Sequence, residues 1–162
     1  MDKMEIDKDG TDFIKAYEKF IPHVYDDADR KHREWDGKSK PKGILTIGYG
    51  HTNKGADALK IKAGLKLTKE QALQVLKNDI AGAEKIVKSS GIKVKLTQRQ
   101  YNVLVSRAMN YGKVGGNLVK ALNKGDAKAI AAALEKPNTS KGKPSRGLKD
   151  RRAAEKLSLI HI

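Results

Sequence analysis

Thr46-Ile47-Gly48-Tyr49-Gly50-His51-Thr52 is the stretch around which the rest of the chain is organised. β-Forming residues from Ile44 onward predict a strand, and two glycines interrupt it. A glycine where a strand would continue marks a kink or the close approach of another backbone. Two such positions beside a Thr and a His suit the wall of a site. The plain alternative is a hairpin strand that its glycines merely bend. Upstream lie two carboxylates, Glu18 and Asp27, that such a wall could serve.

The chain has 162 residues, enough for one domain or two small lobes sharing a core. Apolar residues make up 38%, spread along the chain, so a packed core is expected. No run approaches the length of a membrane span. The start, Met1-Asp2-Lys3-Met4-Glu5-Ile6-Asp7, is charged and lacks the apolar run of a secretory signal. Cysteine is absent, which excludes a thiol nucleophile and a Cys-based zinc site. With four scattered histidines, no metal site is expected. The net charge of +15 predicts attraction to a polyanion: nucleic acid, an anionic membrane or an acidic cell-wall polymer. A solvated basic surface that only aids solubility is the bland alternative.

Outward from the central stretch, the elements follow from periodicity and punctuation. Residues 1–10 read as a frayed lead-in. Phe13, Ile14, Tyr17 and Phe20 recur at helical spacing, so a helix over about 11–20 is predicted, capped by Thr11 or Asp12 and stopped by Pro22. His23-Val24-Tyr25 is β-prone. Residues 28–43 are almost wholly polar and read as a long exposed loop with Trp35 as its one large apolar residue, better placed to anchor the loop than to touch a ligand. Thr68-Lys69-Glu70-Gln71 fits a capping box, opening a helix to about Ser89 with an apolar stripe of Leu73, Leu76, Ile80, Ala83 and Val87. Thr97-Gln98-Arg99-Gln100 is a second such box, and its helix should stop at Gly112. Short helices are predicted through Leu118–Leu122 and from Asp126 to Lys136, with Pro137 as a terminator, and Ser145 can open a last basic helix through about Leu157. Strands confined to one early segment among helices make the fold class α+β.

Glycoside hydrolysis needs two carboxyl groups flanking the bond: one protonates the leaving oxygen, and the other attacks the sugar or activates a water. Glu18 ends a helix, where partial burial would keep its carboxyl protonated near neutrality. Asp27 stands at the lip of a polar loop, where it would stay ionised. Taken alone, the spacing speaks more for two surface carboxylates in a charged protein than for a working pair.

The combination is more specific. Glu18, eight intervening residues, Asp27 preceded by Tyr25, and then Thr46-Ile47-Gly48-Tyr49-Gly50-His51-Thr52 resemble the phage-type lysozymes, or endolysins, of glycoside hydrolase family 24. Leu96-Thr97-Gln98-Arg99-Gln100-Tyr101 continuing to Asn110-Tyr111-Gly112, the stretch Leu122 to Asp126, and Gly147-Leu148 followed by Arg151 to Glu155 are similar to that family's later motifs. The resemblance covers roughly residues 11–157. It implies that Glu18 is the general acid, that Asp27 is the second carboxylate, as nucleophile or as the base orienting water, and that Thr46 helps hold that water. It implies that His51 sits behind the site, steadying the Glu and the strand, although a partly buried structural histidine is an equal reading. Thr52 and Met109 match positions lining the saccharide cleft, and Asn117 matches one more loosely. Met109 reads equally well as helix core.

One departure matters. Eighteen residues separate Asp27 from Thr46, a dozen or so more than the family pattern has. If the extra residues precede the true carboxylate, Asp36 is the rival to Asp27, with Asp26 and Asp29 weaker ones. The expected architecture is a single lysozyme-like domain of two lobes: a small β-containing lobe over about 21–66, a linking helix over about 68–89, and a helical lobe over about 91–162 with helix 11–20 packed on it. The expected substrate is peptidoglycan, cut between N-acetylmuramic acid and N-acetylglucosamine. No cofactor and no specific nucleic acid are implied. A monomer is expected, held in the host cytoplasm until released to the periplasm, and the anionic cell envelope is a further expected partner. The basic C-terminal helix, with Lys149, Arg151, Arg152 and Lys156, suggests contact with anionic lipid or a merely solvated face. The rival function is a non-catalytic basic module for nucleic acid or cell wall, for which two Phe, one Trp and five Tyr offer few stacking rings.

Overall fold

The computed structural model describes residues 1–53 and 59–135. Their elements run α1 (Lys8–Tyr17), β1 (Ile21–Asp26), β2 (Leu45–Gly48), α2 (Lys69–Lys88), α3 (Gln98–Tyr111), α4 (Gly116–Lys124) and α5 (Ala127–Glu135). This is the expected α+β class, with one small sheet early in a helical chain. Among the described residues two compact units result: one within Glu18–Ala81, and one of Met1–Tyr17 together with residues 82–135. The boundary falls inside α2.

The unit from Glu18 holds the sheet. β1 and β2 pair antiparallel, with Ile21 opposite Gly48, Tyr25 opposite Thr46 and Asp26 opposite Leu45; a bulge falls between Ile21 and Tyr25. Pro22 does not stop a helix as expected. It lies within β1, and its carbonyl accepts from the Leu67 N–H at 2.9 Å. Proline has no N–H to give a ladder, so it sits where none is needed. The segment 28–43 is a loop, but a pinned one. The Trp35 N–H donates to the Val24 carbonyl at 2.7 Å and its indole Nε1–H to the Ser39 carbonyl at 2.9 Å. Trp35 therefore anchors the connection. Thr68 caps α2 as read: its Oγ accepts from the Gln71 N–H, and the Gln71 side chain accepts from the Thr68 N–H. Val24, Ile47 and Leu76 are among its fully buried side chains.

In the other unit α1 begins three residues before the expected start. Asp7 is its cap, accepting from the Gly10 N–H at 2.9 Å. The lead-in is not frayed: the Ile6 N–H donates to Glu84 at 3.0 Å, and Asp7 accepts from the Asn102 side chain at 2.7 Å. α1 packs on α3, and Ile14 is fully buried. α3 opens on the capping box of Thr97 and closes on Gly112 in the left-handed conformation. α4 packs against α5, burying Leu118, Leu122, Ile130 and Leu134. Each such side chain contributes roughly 1.5–3 kcal/mol by leaving water. The predicted stop at Pro137 and the last basic helix lie outside the described residues. Among the described residues no helix is long and apolar enough to cross a membrane.

Candidate active site

The glycine-rich stretch is a tight hairpin. Ile47 and His51 exchange both backbone hydrogen bonds, each at 3.0 Å, around the turn Gly48-Tyr49-Gly50. Gly48 and Gly50 have φ of +67° and +75°, a region that side-chain-bearing residues avoid. Both glycines are also sites of close approach. A Cβ on Gly48 would lie 3.3 Å from the Ala72 side chain of α2. A Cβ on Gly50 would occupy the place of the Glu18 carboxylate. The half-buried Glu18, directly after α1, thus sets its acid group on bare backbone that only glycine offers.

Tyr25 joins the rest of the site. It is 8% exposed and stands opposite Thr46 in the ladder. Burial chiefly, then the negative charges of Glu18 and Asp27, push its hydroxyl pKa up to about 12. Glu18, Asp27, Thr46 and Tyr25 therefore share one locality. The buried Thr46 also donates to the Ile44 carbonyl at 3.0 Å, which fixes its rotamer.

Asp27 is exposed, and its Oδ1 accepts the Ile44 N–H at 2.6 Å. A Cβ on Gly43 would overlap that oxygen, so glycine there lets the two ends of the connection meet. The other aspartates are committed elsewhere. Asp26 accepts from the N–H groups of Ala28, Lys42 and Gly43. Asp29 is paired with Arg33 at 3.0 Å, and that bond with those from the Lys31 and Arg33 backbone holds its pKa down to about 2. Asp36 accepts from the Ser39 and Lys38 N–H groups and the Ser39 hydroxyl, which also lower its pKa.

His51 is 2% exposed, and both ring nitrogens are engaged. Nδ1 lies 2.8 Å from Asp79 of α2, and Nε2 donates to the Leu59 carbonyl at 2.8 Å. Burial alone would lower its pKa, but the bonds to Asp79 and Leu59 outweigh it and the net shift is upward. The histidine thus ties the hairpin to α2; its ring nitrogens go to these two groups rather than to Glu18. Asp79 was not legible as a partner, lying 28 residues away. Thr52 follows the hairpin, half-buried. Met109 and Asn117 belong to the helical unit. Met109 is half-buried near the end of α3. Asn117 is exposed at the start of α4, on a cavity of about 220 Å³ that Arg107, Tyr111 and Ala133 also line. Among the described residues no three His, Cys, Asp or Glu side chains gather to hold a metal.

Comparison with known proteins bears on this geometry. A family model described as phage lysozyme matches residues 15–155. The chain is similar to an endolysin of Salmonella phage P22, 37% identical over 99 residues, which take in 59% of this chain and 66% of that protein. It is also similar to an endolysin of Acyrthosiphon pisum secondary endosymbiont phage 1, 38% identical over 70% of this chain and 78% of the relative. Among solved structures, an endolysin from Escherichia coli O157:H7 phage FAHEc1 superposes with a TM-score of 0.71 at 31% identity, covering 98% of this chain and 95% of that one.

Proposed function

The chain belongs to the phage lysozyme family, and we propose that it is a muramidase, hydrolysing peptidoglycan between N-acetylmuramic acid and N-acetylglucosamine to break the cell wall for phage release. The observation that carries this is the seating of the Glu18 carboxylate on Gly50, with Asp27 and Thr46 gathered at the same tyrosine. Glu18 is the general acid that protonates the leaving oxygen. Asp27, exposed and fixed by one backbone N–H, is the second carboxylate, serving the far face of the sugar directly or through a water. Thr46, held by Ile44, orients that water. His51 and Asp79 keep the hairpin in place from behind. Thr52, Met109 and Asn117 contact the saccharide.

The remaining readings follow from charge and chemistry. A net charge of +15 draws the enzyme to the anionic cell envelope, an attraction that salt screens. It acts as a monomer, without a cofactor and without a specific nucleic-acid partner, after passing from the host cytoplasm to the periplasm.

Release of reducing ends from purified peptidoglycan tests the reading. The parent should release muramic-acid reducing ends, and Glu18→Gln should not. Release of stem peptides, or binding without cleavage, would overturn it.

A further inference from the structure

Tyr25 is braced from outside the sheet. The brace comes from the connection between Asp27 and Ile44. Its His32 ring lies against the Tyr25 ring, centroids 4.8 Å apart and planes tilted by 53°. His32 stands at φ +47°, the one positive-φ residue other than glycine among the described residues. That conformation costs on the order of 1–2 kcal/mol and persists only where surroundings over-determine it. Here they do. The His32 N–H donates to the Asp29 carbonyl at 2.9 Å, and the His32 carbonyl accepts from the His23 ring Nε2 at 2.7 Å. Just beyond, Glu34 bridges to Tyr25 and the Trp35 N–H donates to Val24. The His32 side chain itself is exposed, so burial of its own ring does not account for the strain.

We propose that His32 is a positioning residue. The connection holds its ring against Tyr25, and so keeps the Tyr25 hydroxyl among Glu18, Asp27 and Thr46. This rests on the reading of Glu18 and Asp27 as the working pair. His32 acts through the tyrosine and not on the sugar. Its removal frees the Tyr25 ring to tilt, and small displacements at reacting groups are costly in rate. The cost falls on kcat, because no saccharide contact is lost.

The test is a double-substitution cycle on soluble peptidoglycan fragments. kcat, KM and melting temperature are measured for the parent, His32→Ala, His32→Phe, Tyr25→Phe and the Tyr25→Phe/His32→Ala pair. His32→Ala should lower kcat roughly 5- to 20-fold with KM within about twofold, from the loss of orientation alone. His32→Phe, which restores a ring, should return kcat to within about twofold of the parent. In the Tyr25→Phe background, His32→Ala should cost less than about twofold more, because the hydroxyl it serves is gone. Unchanged kcat in His32→Ala overturns the proposal. So does failure of His32→Phe to restore activity while remaining folded, or an undiminished His32→Ala loss in the Tyr25→Phe background. An inactive parent would sink the muramidase reading and this one together; an active parent isolates a failure to the brace.

Discussion

Gly50→Ala separates backbone strain from chemistry. At φ +75° a Cβ costs about 1–2 kcal/mol in left-handed strain. For a chain of this size that lowers the melting temperature by roughly 2–8 °C. The new methyl also claims the place of the Glu18 carboxylate. That carboxylate is the far end of a flexible side chain, so it swings away at little further cost in stability. A displacement near 1 Å at a reacting group costs on the order of 100-fold in rate. Gly64→Ala is the control: its φ is +78°, and a Cβ there meets nothing within 4 Å. The two variants should therefore melt alike, while only Gly50→Ala loses activity. The assay is reducing-end release per folded molecule, with the folded fraction taken from thermal unfolding. Activity of Gly50→Ala within about threefold of Gly64→Ala would refute the placement of Glu18 as the acid.

Three further outcomes follow from the same geometry. Asp79→Asn removes a charge-assisted bond to a buried histidine and should cost about 1.5–3 kcal/mol at pH values near 6. Because the His51 pKa is raised in the fold, that contribution is full below the ordinary histidine value of about 6.5 and is lost as pH rises through the higher folded value; urea unfolding at about pH 6 and about pH 9 should show the gap narrowing. Thr97→Ala breaks the capping box of α3 and should lower stability by about 1 kcal/mol in thermal unfolding, with activity per folded molecule unchanged. Clearing of permeabilised cells should slow as salt rises from about 0.01 to 0.5 M, while cleavage of short glycan fragments, which carry few charges, should slow much less.

What was legible in the sequence was local. The two capping boxes, at Thr68 and Thr97, are settled within four residues and stand where the pattern placed them. The hairpin of Gly48 and Gly50 was legible as a bend or a close approach, because glycine in a strand has few other reasons to be there. What approached was not, since Ala72 and the Glu18 carboxylate arrive from elsewhere in the chain. Gly10 misled for the same reason. It reads as a loop residue but lies inside α1, where a Cβ would meet Asn102 and Ile6 at 2.6 Å. The helix therefore starts after Asp7, not at the Thr11 that the pattern marks. The segment 28–43 looked like a plain solvent loop, because its polar composition hides the bonds from Trp35 to Val24 and from His23 to His32. The spacing from Glu18 and the neighbouring Tyr25 favour Asp27 as the second carboxylate, and the long connection before Thr46 keeps Asp36 as a rival. The structure separates their surroundings: Asp36 serves its own turn, whereas Asp27 lies with Glu18 beside Tyr25.

The most direct measurement is loss of turbidity of outer-membrane-permeabilised Gram-negative cells, comparing the parent with Glu18→Gln, Asp27→Asn and Asp36→Asn. The parent and Asp36→Asn should clear the suspension at similar rates, and the other two, folded, should not. Clearing by Asp27→Asn with loss in Asp36→Asn would contradict the carboxylate pairing. No clearing by a folded parent would contradict the muramidase reading itself and favour a basic binding module.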